Sequence, residues 1–141
     1  MKVNPYLNFG GNCAEAFKFY EKELGGKIAM LMTFDQAPDQ SMVTPESKGK
    51  VMHATMVLGD TRIMASDATT PGRHQPMRSA YLTLTVDSAD EAERVHRTLA
   101  QGGEEFMPMT ETFFAHRFSA LRDRFGVSWM IINPKPMPGG D

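Results

Sequence analysis

A single cysteine, Cys13, stands in 141 residues, so no disulfide can staple the chain to itself. Such sparing use of cysteine fits a reducing compartment, and the expected location is cytoplasmic. Charge of one sign is also lacking: 15 Lys and Arg face 17 Asp and Glu, for a net charge of −2 and a pI near 6.1. That balance excludes the broad positive field that would hold nucleic acid or an acidic membrane. No apolar run approaches the roughly 18 residues a membrane-spanning helix needs, and the opening MKVNPYLNF is too short and too polar for a secretory signal. What is plentiful is methionine, with 12 residues. Its soft thioether fills irregular cores and suits loosely shaped apolar ligands, and core filling is the default reading. A chain of 15.7 kDa can bury roughly 68–70% of its unfolded surface, so it needs neither metal nor disulfide to fold.

The chain is self-similar in the order of its elements. Tyr6-Leu7-Asn8-Phe9 leads to Asn12 and a helical run, as Tyr81-Leu82-Thr83-Leu84 leads to Asp87 and another. Each tyrosine precedes that Asn or Asp by six residues, and each helix is followed by a glycine pair, Gly25-Gly26 and Gly102-Gly103. In the first half, residues 3–9 alternate Val3, Pro5, Leu7, Phe9 with Asn4, Tyr6, Asn8, the period of a half-buried strand. Asn12 is the expected helix N-cap, with Glu15 as its capping-box partner. Ala16, Phe17, Tyr20 and Leu24 then form one apolar stripe, and Gly25 ends the helix. Strands are expected over 27–34, 51–58 and 62–66, the last two joined by the hairpin signal Gly59-Asp60. Residues 35–49 hold Pro38, Pro45 and no periodicity, which reads as a long surface loop.

The second half repeats the order, with a strand over 80–86, Asp87 or Ser88 as N-cap, and a helix to about Ala100 on a stripe of Ala92, Val95 and Leu99. Strands follow over 105–109, interrupted by Pro108, and over 114–121 and 127–132. The fold class is therefore α+β, a tandem pair of βαβββ modules forming a curved mixed sheet. Module one spans 3–67, a linker 68–78, and module two 79–133, within one domain of residues 1–134. The Pro- and Gly-rich tail of residues 134–141 reads as a disordered or docking extension.

Two such modules resemble the vicinal oxygen chelate superfamily of glyoxalase I, bleomycin-resistance proteins and extradiol dioxygenases, and within it the PhnB-like branch. The resemblance rests on Pro5-Tyr6-Leu7-Asn8-Phe9-Gly10-Gly11-Asn12, then Glu15-Ala16, Phe19-Tyr20 and Leu24-Gly25-Gly26. It continues in Met52-His53-Ala54, Gly59-Asp60 and Ile63-Met64-Ala65-Ser66-Asp67, and closes in Asp123-Arg124-Phe125-Gly126-Val127 with Trp129. It covers residues 3–133, and the order and spacing of the motifs are specific where no single motif is. Members are often described as 3-demethylubiquinone 3-methyltransferase-like or glyoxalase-like.

The resemblance implies sheets that curl into a cup with helices outside, a ligand within, and in many members a divalent metal on four inward positions. Here those positions read Asn4, Met64, Tyr81 and Met130. Hard or borderline divalent ions take carboxylate oxygen or imidazole nitrogen, and a neutral thioether is a poor substitute, so no metal and no cofactor are expected. An alternative metal set of His53, His116, Asp67 and Glu111 shows no ligand pair at close spacing. The resemblance also implies a homodimer, which light scattering at the 15.7 kDa of one chain would reject.

His53 lies on the polar side of its strand beside Thr55 and is the best candidate acid or base, although a histidine that fixes a pocket wall is the plainer role. The expected ligand-binding set is Asn4, Tyr6, His53, Thr55, Met64, Tyr81, Thr83, Phe114, His116 and Met130. His116 follows Phe113-Phe114 where the family carries an aromatic-Trp-Gly segment, and the two phenylalanines lie near the rim, where they could close over a ligand. His96 follows the helix stripe and reads as surface or partly covered, and His74 as a solvated loop residue. Cys13 at a helix start would have its thiol pKa lowered by the helix dipole, yet an inert half-buried cysteine is the plainer reading. Trp129 reads as core, and Arg122-Asp123-Arg124 as a solvated or salt-bridged turn. Gly10-Gly11-Asn12 lacks the spacing of a dinucleotide or phosphate loop, which disfavours a methyltransferase.

Three functions follow in order. The first is a metal-independent binder of a flat or apolar small molecule. The second is an enzyme of the same fold, lyase, isomerase or dioxygenase-like, using His53 or a non-standard metal site. The third is an interaction protein with no cavity.

Overall fold

A computed structural model of the chain describes residues 1–136, apart from the side chain of Met42. The chain divides into two compact units, residues 1–76 and residues from Met77 onward.

The first unit runs β1 (Tyr6–Phe9), α1 (Cys13–Leu24), β2 (Lys27–Thr33), β3 (Val51–Leu58) and β4 (Thr61–Asp67). Its sheet has the order β1-β4-β3-β2, with β1 parallel to β4 and the other pairs antiparallel. Alternation decides its two faces. Leu7, Phe9, Ala54, Met56, Ile63 and Ala65 are buried beneath α1, which brings Ala16, Phe17 and Tyr20 to meet them. Phe9 and Phe17 meet edge to face with ring centroids 6.3 Å apart, and burying one such ring contributes about 2–3 kcal/mol. Gly25 ends α1 in the left-handed region at φ 76°, the C-terminal stop the sequence predicts. The start of α1 differs. Asn12 makes no side-chain cap and no capping box forms with Glu15; the carboxylate of Asp67 on β4 accepts the Gly11 and Cys13 N–H groups instead, each at 3.0 Å.

The second unit runs β5 (Leu82–Thr85), α2 (Ala89–Ala100), β6 (Glu104–Thr110), β7 (Ala115–Arg122) and β8 (Ser128–Pro134), in the order β5-β8-β7-β6. Ser88 caps α2 by accepting the Glu91 N–H at 3.1 Å. Pro108 is tolerated because β6 is an edge strand whose register slips between Met107 and Thr110. Both units are thus mixed four-stranded sheets with one helix each, an α+β architecture.

Several expectations shift in detail. β1 and β5 begin at Tyr6 and Leu82, later than the alternation implies. The loop over 35–49 holds short 3-10 turns at Phe34–Gln36, Gln40–Met42 and Pro45–Ser47. Pro134 ends β8 rather than opening a tail, and residues 137–141 of that predicted tail lie outside the described residues. Among the described residues no helix is long and apolar enough to cross a membrane.

Candidate functional site

The sheet face away from α1 is open, and pairing fixes what it presents. Tyr6 stands opposite Met64, Asn8 opposite Ser66, Thr55 opposite Met64 and Met30, and His53 opposite Met32. The Tyr6 Oη lies 3.4 Å from His53 Nδ1, with the rings 5.8 Å apart, and His53 Nε2 lies 3.4 Å from the Thr55 Oγ1. Both ring nitrogens of His53 therefore face a hydroxyl, and the Tyr6 side chain beside it is exposed. Around this polar row sit the thioethers of Met30, Met32 and Met64. Asn4 lies just before β1, where the Pro5 carbonyl accepts the Met64 N–H at 3.0 Å.

The open face of the second sheet carries Thr83 opposite Met130, with Ala120 opposite Met130 on the other side. At one end Tyr81 meets Phe106 edge to face at 6.3 Å, and the Arg122 guanidinium lies 5.1 Å from the Phe106 centroid. The Arg122 Nε is buried without a hydrogen-bond partner, although Nη1 reaches Glu104 at 3.5 Å. Sequence reasoning missed Phe106. At the other end Phe114 packs between Phe113 and Phe118, 5.2 Å from each, while His116 is exposed at a register shift in β7.

The superfamily resemblance implies metal ligands at Asn4, Met64, Tyr81 and Met130, but the pairing sets Met64 opposite Tyr6 and Met130 opposite Thr83, with Asn4 and Tyr81 lying before β1 and β5. These donors carry no charge to offset a divalent ion, so the set does not fit the metal. The alternative set fails within the first unit. Asp67 lies on the helix face of β4, opposite to His53, with its oxygens taken by three backbone N–H groups. In the second unit Glu111 pairs with Lys135 at 2.8 Å. Among the described residues no group of three or more His, Cys, Asp or Glu is placed to hold a metal ion.

Other polar residues turn out to be structural. His96 is buried, not surface, with Nδ1 2.8 Å from the Ser119 hydroxyl and Nε2 2.6 Å from Glu105. It belongs to the helix stripe with Ala92, Val95 and Leu99. Asp123 is also buried rather than solvated, accepting from the N–H groups of Phe125 and Val127 and from the indole of Trp129 at 2.8 Å. Trp129 is core, as expected. The His74 ring is exposed but lies against Gly10.

Cys13 is fully buried, and its thiol is pushed up to about 12, first by burial and then by the Asp67 carboxylate. Burial overrides the helix dipole, and the thiol is inert. Because the folded pKa lies above the ordinary value of 9.0, this group stabilises the fold fully below pH 9.0. Its contribution is lost as pH rises from 9.0 toward about 12. Urea unfolding across that window is expected to show a fall in stability of up to about 1.4 kcal/mol per pH unit that Cys13→Ala removes. An unchanged slope in the variant would show that other groups carry it.

Residues 1–132 match the family described as 3-demethylubiquinone-9 3-methyltransferase. Protein YjdN of Escherichia coli strain K12 is 33% identical over 150 residues, which cover 98% of this chain and 99% of that protein. The crystal structure of protein PA1353 from Pseudomonas aeruginosa is similar at 38% identity and a TM-score of 0.87, over 94% of this chain and 97% of its own. The PhnB protein from Bacillus cereus is similar at 27% identity and a TM-score of 0.81, over 94% and 99%. The fold alone is shared, at 16% identity and a TM-score of 0.64 over 96% and 98%, with a glyoxylase/bleomycin resistance protein/dioxygenase domain from Frankia sp. EAN1pec. On the residues matched, this chain belongs to the family described as 3-demethylubiquinone-9 3-methyltransferase, and it shares the fold of the PhnB protein.

Proposed function

We propose that the chain binds a small, flat or largely apolar organic molecule on the open face of its first sheet, without a metal ion. The observation that carries this reading is the row Tyr6, His53 and Thr55, set among Met30, Met32 and Met64. An apolar floor with a few convergent polar groups is the usual composition of a small-molecule site. In this row His53 orients the Tyr6 hydroxyl, which is the group offered to a ligand's donor or acceptor. A general base needs a free lone pair aimed at the substrate, and both nitrogens of His53 already face hydroxyls. The thioethers at positions 64 and 130 support the metal-free part of the reading, because they bring no charge to a cation.

The methyl transfer named in the family's description draws no support from these residues. β1 enters α1 through Gly10-Gly11-Asn12, but from the edge of a mixed sheet rather than from a doubly wound parallel one.

The test begins with mass spectrometry of the small molecules that copurify with the chain. The recovered compound is then titrated into the native protein and into His53→Ala, with and without EDTA. Affinity is expected to fall about tenfold or more in the variant, equivalent to about 1.4 kcal/mol, and to be indifferent to EDTA. Binding that EDTA abolishes would overturn the metal-free reading. Turnover of the compound that His53→Ala abolishes while binding survives would replace the binder with an enzyme.

A further inference from the structure

The same unit contains a cavity of about 610 Å³ at the C-terminal ends of β1 and β4, where Asn8 and Ser66 meet the loop over 34–50 and the segment after β4. Its size falls within the roughly 300–1,000 Å³ of ordinary ligand sites. We infer that this cavity is a second binding site, for a small zwitterion of the amino-acid class. It is distinct from the Tyr6, His53 and Thr55 row and stands whether or not that row takes a ligand.

The charges in the wall carry the inference. The loop contributes one carboxylate, Glu46, and the segment after β4 contributes one guanidinium, Arg73. Both are exposed, and neither is among the ion pairs of the described residues. The third charged residue of the wall, Asp67, is spent on the N–H groups of Gly11, Cys13 and Val51. The rest of the polar lining is neutral, chiefly hydroxyls such as Ser66, Thr69 and Thr70, and Phe34 adds an apolar surface. A guanidinium takes a carboxylate through two parallel hydrogen bonds, and a carboxylate takes an ammonium group. A purely anionic ligand would meet repulsion from Glu46, and a purely cationic one from Arg73. A neutral polyol would pair with neither charge and would forgo both charge-assisted contacts. A ligand with both signs pairs with both.

The wall is also built in advance. The amide of Gln40 donates to the carbonyls of Phe34, Asp35 and Ala37, and Thr44 and Ser47 close a reciprocal capping box. Lys50 Nζ donates to the Gly11 carbonyl at 3.2 Å, and the Ala68 N–H donates to the Phe9 carbonyl at 2.7 Å. A loop of this length that spends its hydrogen bonds on holding one shape limits the ordering cost of binding.

The experiment is a titration of the isotope-labelled chain with each standard amino acid, followed by backbone amide resonances, with acetate and methylamine as single-charge controls. At least one amino acid is expected to move the amides of Ser41, Glu46, Thr69 and Thr70 saturably, and neither control to do so. Arg73→Gln and Glu46→Gln, both at exposed positions, are each expected to weaken that binding about tenfold or more. Amides unmoved by every amino acid, moved equally by acetate or methylamine, or moved unchanged in both variants would overturn the inference. The open-face reading is judged by the copurifying compound and His53→Ala, so either can fail alone.

Discussion

Asp67→Ala is expected to lower the stability of the chain by about 3–5 kcal/mol and its Tm by roughly 10 °C or more. The carboxylate is 5% exposed and ties three stretches of backbone that are far apart in sequence. One oxygen accepts the Gly11 and Cys13 N–H groups, and the other accepts the Val51 N–H at 2.9 Å. The start of α1, the start of β3 and the end of β4 thus share one acceptor. Hydrogen bonds to a charged group contribute about 1.5–3 kcal/mol each, and alanine leaves the three donors unpaired beneath the helix. Asp67→Asn keeps one acceptor oxygen but aims an NH2 group at an N–H donor, so about half of the loss is expected. Urea unfolding of both variants measures this. A loss below about 1 kcal/mol in Asp67→Ala would mean that water replaces the carboxylate and that the three donors are not sealed.

The same carboxylate accounts for a helix start whose N-cap position, Asn12, is as expected but whose side-chain cap and capping box are missing. Asn12 stands where a cap belongs and has the right side chain, but the helix start is held at the Cys13 N–H by a residue 54 positions away. No local pattern reports a tertiary cap. Local periodicity, by contrast, placed α1, α2 and the hairpin at Gly59-Asp60, because helix stripes and two-residue turns are properties of neighbouring residues. It also chose the open-face register of Tyr6, His53, Thr55, Met64 and Met130, since alternation in a strand leaves only two choices.

His96 shows the opposite failure. Its position in the series 92, 95, 96, 99 is the i, i+3, i+4, i+7 pattern of a buried face, yet it reads from sequence as surface or partly covered. Ser119 and Glu105 make its burial possible, and neither is visible from the helix. The cavity around Glu46 and Arg73 was hidden for a related reason. Pro38 and Pro45 mark a loop, whereas its shape comes from spacings such as Thr44 to Ser47, which sequence reading passed over.

The two glycine pairs look equivalent in sequence, and their second members are expected to behave very differently. Gly103→Ala is expected to cost about 3 kcal/mol or more, and Gly26→Ala about 1 kcal/mol at most. Each first glycine, Gly25 or Gly102, has a positive φ and needs no further argument. A methyl group on Gly26 would meet the thioether of Met56, with sulfur at 2.7 Å, and that side chain can turn aside. A methyl group on Gly103 would run into the Arg122 carbonyl oxygen and lie 3.0 Å from the Asp123 Cα, and backbone cannot turn aside. Relief would require β6 to separate from β7 where Glu104 pairs with Arg122. It would also shift the turn in which Asp123 gathers Phe125, Val127 and Trp129. Tryptophan fluorescence in urea reads Gly103→Ala directly, because Trp129 is the single tryptophan and its indole is bound to that turn, and far-ultraviolet circular dichroism in urea reads both variants. Equal midpoints for Gly26→Ala and Gly103→Ala would show that the second unit yields at this point, and that its first antiparallel pair is looser than its register implies.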